Sequence, residues 1–217
     1  MELQQARYNM IEQQIRPWEV LDQRVLDLLE STPREEYVPD AYRQLAYADI
    51  AIPLAHGEAM LHPKEEARLL QALDVRSGDT ILEVGTGSGY FTSLLAKSGR
   101  TVVSVDIVEE FTSSAASCLA SHGITNVTFE SGDAAAGWDQ GAPYDVIAIT
   151  GSLPVLPDTY KKSLNIGGRL IAIVGTSPVM EVLLVTRVAA AEWLTESLFE
   201  TDLKPLRNVV EPSRFVF

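Results

Sequence analysis

Residues 80–90 read Thr-Ile-Leu-Glu-Val-Gly-Thr-Gly-Ser-Gly-Tyr, a short apolar run that passes directly into three glycines at alternate positions. The apolar run is typical of a buried strand, and the residues from about Tyr90 onward predict a helix. Glycines between two such elements permit a tight turn, close approach of the backbone to a ligand and close packing where the helix begins. The stretch therefore predicts a strand, a ligand-binding turn and a helix.

The spacing of the three glycines distinguishes this turn from two other nucleotide-binding turns. A dinucleotide fingerprint needs G-x-G-x-x-G, and Tyr90 stands where its last glycine would be. A phosphate-binding loop needs a Gly-Lys-Ser/Thr ending, which the stretch lacks. The pattern that remains, an acid followed by x-G-x-G-x-G, resembles the cofactor loop of S-adenosylmethionine-dependent methyltransferases, and it disfavours a nucleotide-dependent oxidoreductase.

Strand-like and helix-like segments alternate through the rest of the chain. We expect further strands at residues 101–105, 126–130, 144–150 and 169–174, separated by helices near residues 90–97, 109–122 and 157–164. Residues 181–188 and 193–200 alternate like a hairpin, which predicts antiparallel strands at the sheet edge. The predicted fold class is α/β, a doubly wound, mostly parallel sheet of the Rossmann-like type.

The first third of the chain has a different pattern of apolar residues. Apolar residues at near-helical spacing predict helices before residue 30 and again at residues 64–73, and the stretch between residues 47 and 63 predicts a loop. We expect one compact unit with two parts. Residues 1–76 form a helical N-terminal cap with the active-site loop, and residues 77–217 form the cofactor-binding α/β domain.

Composition narrows the classes of function. The net charge of −13 would repel a phosphate backbone, so nucleic-acid binding is not expected. Residues 1–60 hold eleven acidic residues against five arginines and no lysine, a net charge of −6. A single cysteine excludes an internal disulfide and a multi-cysteine zinc site, and no metal site is expected. With no secretory or membrane-spanning segment, we expect a cytoplasmic protein without membrane contact.

Two acids follow strands at places where a nucleoside would meet them. Asp106 ends the second strand, 21 positions beyond Gly85, where a carboxylate can accept both ribose hydroxyls. Asp133 follows the third strand, where an acid can reach the adenine edge. Ligands of such sheets lie over the carboxyl ends of the strands. The predicted cofactor is S-adenosylmethionine, and its predicted binding residues are Glu83, Gly85, Thr86, Gly87, Gly89, Asp106, Ile107, Asp133 and Ala134.

Matches to one known family run through nearly the whole chain and are most distinctive at residues 81–90 and 141–145. Further matches lie at residues 10–15, 22–26, 33–39, 46–47, 52–57, 165–170 and 203–206. On these residues the chain resembles the protein-L-isoaspartate O-methyltransferases, which methylate the misplaced carboxylate of damaged aspartyl residues. The resemblance implies a protein-repair activity on a protein or peptide that carries an isoaspartyl carboxylate.

One loop departs from the family's pattern. After the glycine at position 57 the family carries a Thr-Ile-Ser-x-Pro stretch whose serine hydroxyl lies at the catalytic site. This chain reads Ala59-Met60-Leu61-His62-Pro63 instead. The proline is kept, but alanine replaces the threonine and leucine replaces the serine. The loop therefore lacks the hydroxyl that would orient the acceptor.

The residues permit three hypotheses about the reaction. A carboxylate acceptor is already ionised at neutral pH and needs no general base, so backbone amides or Thr150 could hold it. A phenol, an amine or another small acceptor would need a base, and His62 beside the missing serine has a suitable reference pKa. In the third hypothesis the chain only binds the cofactor. The predicted substrate-facing residues are His56, Leu61 and Thr150.

Overall fold

The computed structural model describes residues 2–210, and within that range it contains seven strands. They are β1 (Thr80–Val84), β2 (Thr101–Asp106), β3 (Val127–Ser131), β4 (Tyr144–Leu153), β5 (Leu164–Thr176), β6 (Val179–Ala189) and β7 (Glu192–Thr201). All seven belong to one sheet in the order β3-β2-β1-β4-β5-β6-β7. The α/β fold predicted from the sequence is confirmed.

The pairing of the strands changes from parallel to antiparallel across the sheet. The pairs from β3 to β5 are parallel, whereas β5, β6 and β7 pair antiparallel. The chain moves outward from β1 through β2 to β3 and then returns to place β4 on the other side of β1. This reversal opens a crevice at the carboxyl ends of β1 and β4, where sheets of this kind bind ligands.

Helices connect the strands and build the N-terminal part. The α-helices are α1 (Leu3–Met10), α2 (Gln23–Ser31), α3 (Pro63–Leu73), α4 (Tyr90–Ser98), α5 (Glu109–Ser121) and α6 (Asp158–Lys162). A π-helical turn (Ile11–Ile15) continues α1, and 3-10 turns lie at Arg16–Trp18, Arg34–Glu36, Asp40–Leu45 and Ala55–Gly57. None of the helices in the described part of the chain has the length and apolar character needed to cross a bilayer.

Several strands are longer than the sequence predicts, among them β4 and β5. β4 continues past residue 150 to Leu153, and β5 begins at Leu164 rather than at residue 169. The added part of β5 reads Leu-Asn-Ile-Gly-Gly, which lacks the apolar pattern of a buried strand. Its strand conformation comes from pairing with β4, where Tyr144 lies opposite Leu164 before the register shifts.

Alternate residues of each strand feed two hydrophobic cores. On one face Ile81 packs in a cluster that also holds apolar residues of the cap, such as Ile15 and Leu70. On the other face Leu82 belongs to a separate cluster with Tyr160 of α6. The residues of the cap that the structure describes therefore share a core with the sheet. The boundary at residues 76 and 77 stays a prediction.

A buried ion pair joins distant parts of the cap. The Arg34 guanidinium is fully buried, and its Nε lies 3.1 Å from Glu66 Oε2 on α3. The same side chain donates from Nη2 to the Leu61 carbonyl oxygen at 2.7 Å. Since a buried charge is costly unless it is paired, these contacts fix the loop before α3 against the 3-10 turn at Arg34–Glu36.

A histidine links the cap to the cofactor-binding part. His122, at the end of α5, contacts the Glu36 carboxylate through Nε2 and the Cys118 carbonyl through Nδ1 at 2.8 Å. Its ring also stacks on Tyr37, with centroids 5.1 Å apart. The hydrogen bond to Glu36, followed by that to the Cys118 carbonyl, raises the pKa of His122 above its ordinary value.

We expect His122→Gln to remove a pH-dependent part of the stability. A histidine whose pKa is raised by folding contributes fully below its unfolded pKa of about 6.5 and loses that contribution as pH rises through the folded pKa. The difference in unfolding free energy between wild type and variant should therefore be larger at pH 6 than at pH 9. Urea unfolding at both pH values measures it, and an equal difference at both would contradict the assignment.

Candidate functional site

A cavity of about 400 Å³ lies at the crevice between the carboxyl ends of β1 and β4. Pockets for drug-sized ligands and cofactors have volumes of about 300–1,000 Å³, so this cavity suits a nucleoside-sized ligand. Predicted site residues that line it are Gly85, Gly87, Asp106, Ile107, Asp133, Ala134 and Thr150. The structure thus brings most of the predicted cofactor-binding residues together.

The turn after β1 requires glycine at its first position. Gly85 has φ +101°, and a Cβ there would approach the Thr150 hydroxyl oxygen to less than 3.0 Å. That hydroxyl donates to the carbonyl oxygens of Gly85 at 2.8 Å and Val84 at 3.0 Å. Thr150 therefore fixes the end of β1 to β4 and commits its proton to the backbone.

Glu83, Thr86 and Gly89 lie beneath or behind the turn, outside the lining of the 400 Å³ cavity. Glu83 is fully buried, and its Oε2 accepts hydrogen bonds from Ser104 Oγ at 2.6 Å and Thr92 Oγ1 at 2.5 Å. Ser104 also bonds the Thr86 hydroxyl at 2.7 Å. Burial raises the pKa of Glu83 to about 8. These three residues shape the turn from below.

The two predicted nucleoside acids are held in place by backbone amides. Asp106 accepts from the backbone N–H of Gly87 at 3.1 Å and of Val108 at 2.9 Å. Burial nevertheless raises the pKa of Asp106 above its usual range. Asp133 accepts from the Ala135 N–H at 3.0 Å and from Asn208 Nδ2 at 2.8 Å. Both carboxylates therefore face the cavity in fixed orientations.

An ionic roof, formed by residues 55–58 and 202–207, covers the cavity. Lys204 Nζ and Arg207 Nη2 lie 2.9 Å and 2.8 Å from Glu58 Oε1, and Lys204 also donates to the Gly57 carbonyl at 3.1 Å. Burial acts to raise the pKa of Glu58, but the two cations outweigh it and hold that pKa below its usual range. Sequence reasoning missed these residues because the partners are nearly 150 positions apart.

The two histidines of the loop lie outside the cavity. His56 Nε2 is 2.7 Å from Glu110 Oε2, and its ring packs edge-on against Phe111 at the cavity rim. His62 precedes α3, and its Nδ1 is 3.2 Å from Asp49 Oδ1. Neither histidine lines the cavity. The His62 ring therefore lies at Asp49, outside the lining of the cavity, and its role as a base stays a prediction.

A smaller chamber of about 50 Å³ adjoins the cavity at the glycine turn. It shares Gly85, Gly87 and Thr150 with the lining of the larger cavity. Leu61 and Glu66 line the chamber but not the larger cavity. Leu61 is almost fully buried there, with 7% of its surface exposed. Sequence reasoning singled out Leu61 but not Glu66, because a charged residue in a helix gives no local sign of burial.

The arrangement suits binding and positioning more than acid–base or metal chemistry. The residues facing the cavity supply two oriented carboxylates, backbone groups of a glycine turn and apolar walls. Among residues 2–210, no group of three or more His, Cys, Asp or Glu side chains is placed to hold a metal ion. These residues suit a group-transfer reaction that depends on orienting the reactants and excluding water.

Comparison with known sequences gives a consistent result. The family model described as "Protein-L-isoaspartate(D-aspartate) O-methyltransferase (PCMT)" matches residues 5–207. Protein-L-isoaspartate O-methyltransferase 1 of Rhodopseudomonas palustris is 36% identical over 201 residues, which are 92% of this chain and 82% of that protein. Several other bacterial proteins of the same name are about as similar.

Solved structures agree on the fold. A protein-L-isoaspartate O-methyltransferase superposes with a TM-score of 0.76 at 23% identity, covering 94% of this chain and 65% of the other. A Plasmodium falciparum structure assigned to the same activity, in complex with S-adenosyl-L-homocysteine, gives a TM-score of 0.78 at 18% identity. It covers 95% of this chain and 99% of the other, so the two chains share the whole architecture.

We expect Gly85→Ala to destabilise the protein by at least about 2 kcal/mol, because the new Cβ is strained at positive φ and meets Thr150. Gly78→Ala is the matched control, since a Cβ there meets nothing within 4 Å, and we expect a change within about 0.5 kcal/mol. Urea unfolding of both variants measures the effect. Equal stabilities would show that the turn tolerates a side chain at residue 85.

Proposed function

This chain belongs to the protein-L-isoaspartate(D-aspartate) O-methyltransferase family, and we propose that it methylates the carboxylate of isoaspartyl residues in proteins or peptides with S-adenosylmethionine. The observation that carries the proposal is the cavity at the sheet's crevice, in which a glycine turn and two strand-end carboxylates face one space. The family match over residues 5–207 includes every residue that builds this cavity.

The residues of the cavity fit the proposed cofactor. Asp106 and Asp133 supply acceptors for ribose hydroxyls and an adenine amino group, and the volume of about 400 Å³ suits a nucleoside. The glycine turn lets the backbone approach a ligand closely. When bound, S-adenosylmethionine supplies an electrophilic methyl group on a sulfonium.

The chain's own task is to position the acceptor and exclude water. An acceptor carboxylate is ionised at neutral pH, so no residue needs to remove a proton. Thr150 has committed its proton to two carbonyl oxygens, and Leu61 has none to give. Orientation of the acceptor therefore falls to backbone amides, while Leu54, Met60 and Leu206 form an apolar wall. Such a wall strengthens electrostatic interactions inside by keeping water out.

The proposal includes partners and location. The substrate is a protein or peptide with an isoaspartyl carboxylate, and the net charge of −13 disfavours nucleic acid as a partner. We place the protein in the cytoplasm, which agrees with its single cysteine, Cys118, being free.

We expect the purified protein to form a base-labile methyl ester on an isoaspartyl peptide and none on the same peptide with a normal aspartyl residue.

The variant Asp106→Asn should bind S-adenosyl-L-homocysteine about 10- to 100-fold more weakly than the wild type, because it loses a charged acceptor. Labelled methyl transfer and calorimetric titration measure the two effects. If the protein binds S-adenosyl-L-homocysteine but forms no ester on the isoaspartyl peptide, the proposed substrate is contradicted.

We expect Leu61→Ser to raise kcat/KM on the isoaspartyl peptide about tenfold or more, because a hydroxyl at residue 61 can donate to the acceptor carboxylate. Leu61→Ala is the matched control, since it loses the same buried contacts without adding a donor. Steady-state methyl transfer by the three proteins decides the question. A serine variant no faster than the alanine variant would show that residue 61 does not orient the acceptor.

A further inference from the structure

Glu66 is a buried carboxylate with one oxygen engaged and one free. The residue is 3% exposed, and its Oε2 lies 3.1 Å from Arg34 Nε. Its Oε1 receives no hydrogen bond from the residues that the structure describes. Because Arg34 is itself held by the Leu61 carbonyl, the carboxylate has a fixed orientation. Because Glu66 lines the small chamber, this oxygen is available to a ligand that enters there.

The small chamber beside the glycine turn is the space that Glu66 borders. Its lining combines apolar side chains, the turn itself and the hydroxyl-bearing residues Thr86, Ser88 and Thr150. Among the described residues of this lining, Glu66 is the one with an ionisable side chain. A cation that enters the chamber would therefore meet its charge partner in Glu66.

The size of the chamber limits what can enter. A water molecule needs about 10–15 Å³ of such volume, so about 50 Å³ admits three or four water-sized groups. An ammonium group and a carboxylate on one carbon have that number of polar atoms. The chamber shares Gly85, Gly87 and Thr150 with the lining of the larger cavity, so a ligand of that cavity can extend one end toward it.

The two ends of a zwitterion would find different environments here. The turn at Thr86 and Ser88 leads into α4, and the N-terminus of a nine-residue helix favours a negative group. Glu66 lies on α3 and lines the same chamber, where it favours a positive group. The chamber is therefore polarised in the sense that an α-amino acid requires.

We propose that Glu66 binds the α-ammonium group of the amino-acid end of the cofactor. The inference rests on the proposed function, since it takes S-adenosylmethionine as the ligand of the adjoining cavity. Arg34 orients Glu66 from behind, and the free Oε1 accepts from the ammonium. Burial raises the pKa of Glu66 in the ligand-free protein to about 7, which agrees with a carboxylate that lacks a second cationic partner.

The test compares two ligands that differ in the amino-acid end. S-adenosyl-L-homocysteine carries that end, and 5′-methylthioadenosine lacks it. Glu66→Gln keeps the shape of the side chain and can still accept a hydrogen bond from Arg34. We expect this variant to bind S-adenosyl-L-homocysteine about 10- to 100-fold more weakly. Its affinity for 5′-methylthioadenosine should change by less than about threefold. Isothermal titration calorimetry of the full chain gives all four dissociation constants.

Glu65→Gln is the matched control, because it makes the same charge change one position away. Glu65 accepts from Thr201 Oγ1 at 2.7 Å and does not line the chamber, so the ratio of the two affinities should not change. If Glu66→Gln does not fold, the double variant Arg34→Met/Glu66→Met replaces both buried charges together. We expect the same fall in its affinity for S-adenosyl-L-homocysteine relative to 5′-methylthioadenosine.

Three outcomes would overturn the inference. Unchanged affinities for both ligands in a folded Glu66 variant would show that the carboxylate does not contact the amino-acid end. Equal weakening of both ligands would show that Glu66 only supports the cavity. A wild-type protein that binds neither ligand would remove the proposed cofactor as well, which distinguishes failure of the function from failure of this contact.

Discussion

The Glu83 carboxyl joins three elements at a single point beneath the ligand turn, and the geometry of the site depends on it. It stands on β1 and accepts from Ser104 on β2 and Thr92 on α4. A carboxylate buried in this way would be expensive if charged, but burial raises the pKa of Glu83 to about 8, so it is largely neutral at neutral pH. The strand, the turn and the helix are thereby held in one arrangement, and Asp106 can reach the Gly87 amide.

The cap contributes the remaining walls, and its charges are mostly satisfied. Seven of the eleven acids in residues 1–60 make ion pairs in the described structure, namely Glu12, Glu19, Asp22, Glu35, Glu36, Asp49 and Glu58. Glu58, which lies at the cavity, meets two cations. The acid-rich cap is thus compatible with a carboxylate substrate, because little of its charge at the site is unpaired.

The sequence was sufficient for the fold, the glycine turn and the two strand-end acids that face the cavity. Apolar runs and the glycine spacing are local patterns, and Asp106 and Asp133 follow strands at positions that parallel topology brings together. It was not sufficient for Glu66 or for the roof. A glutamate becomes a buried site residue only through a partner such as Arg34, 32 positions away, and nothing in the neighbouring residues indicates that pairing. The role of His62, beside Leu61, stays a prediction, and the structure places its Nδ1 3.2 Å from Asp49 Oδ1.

The ionic roof has a consequence for how the protein is made. Arg207 and Glu58 are separated by 149 positions, so the contacts between them cannot form until residue 207 has been synthesised. Chains leave the ribosome from the N-terminus, and the cap, the turn and the parallel strands are all available earlier. A nascent chain can therefore assemble the floor and walls of the cavity while one side stays open. The ability to enclose a ligand arrives only once residues 202–207 have been translated.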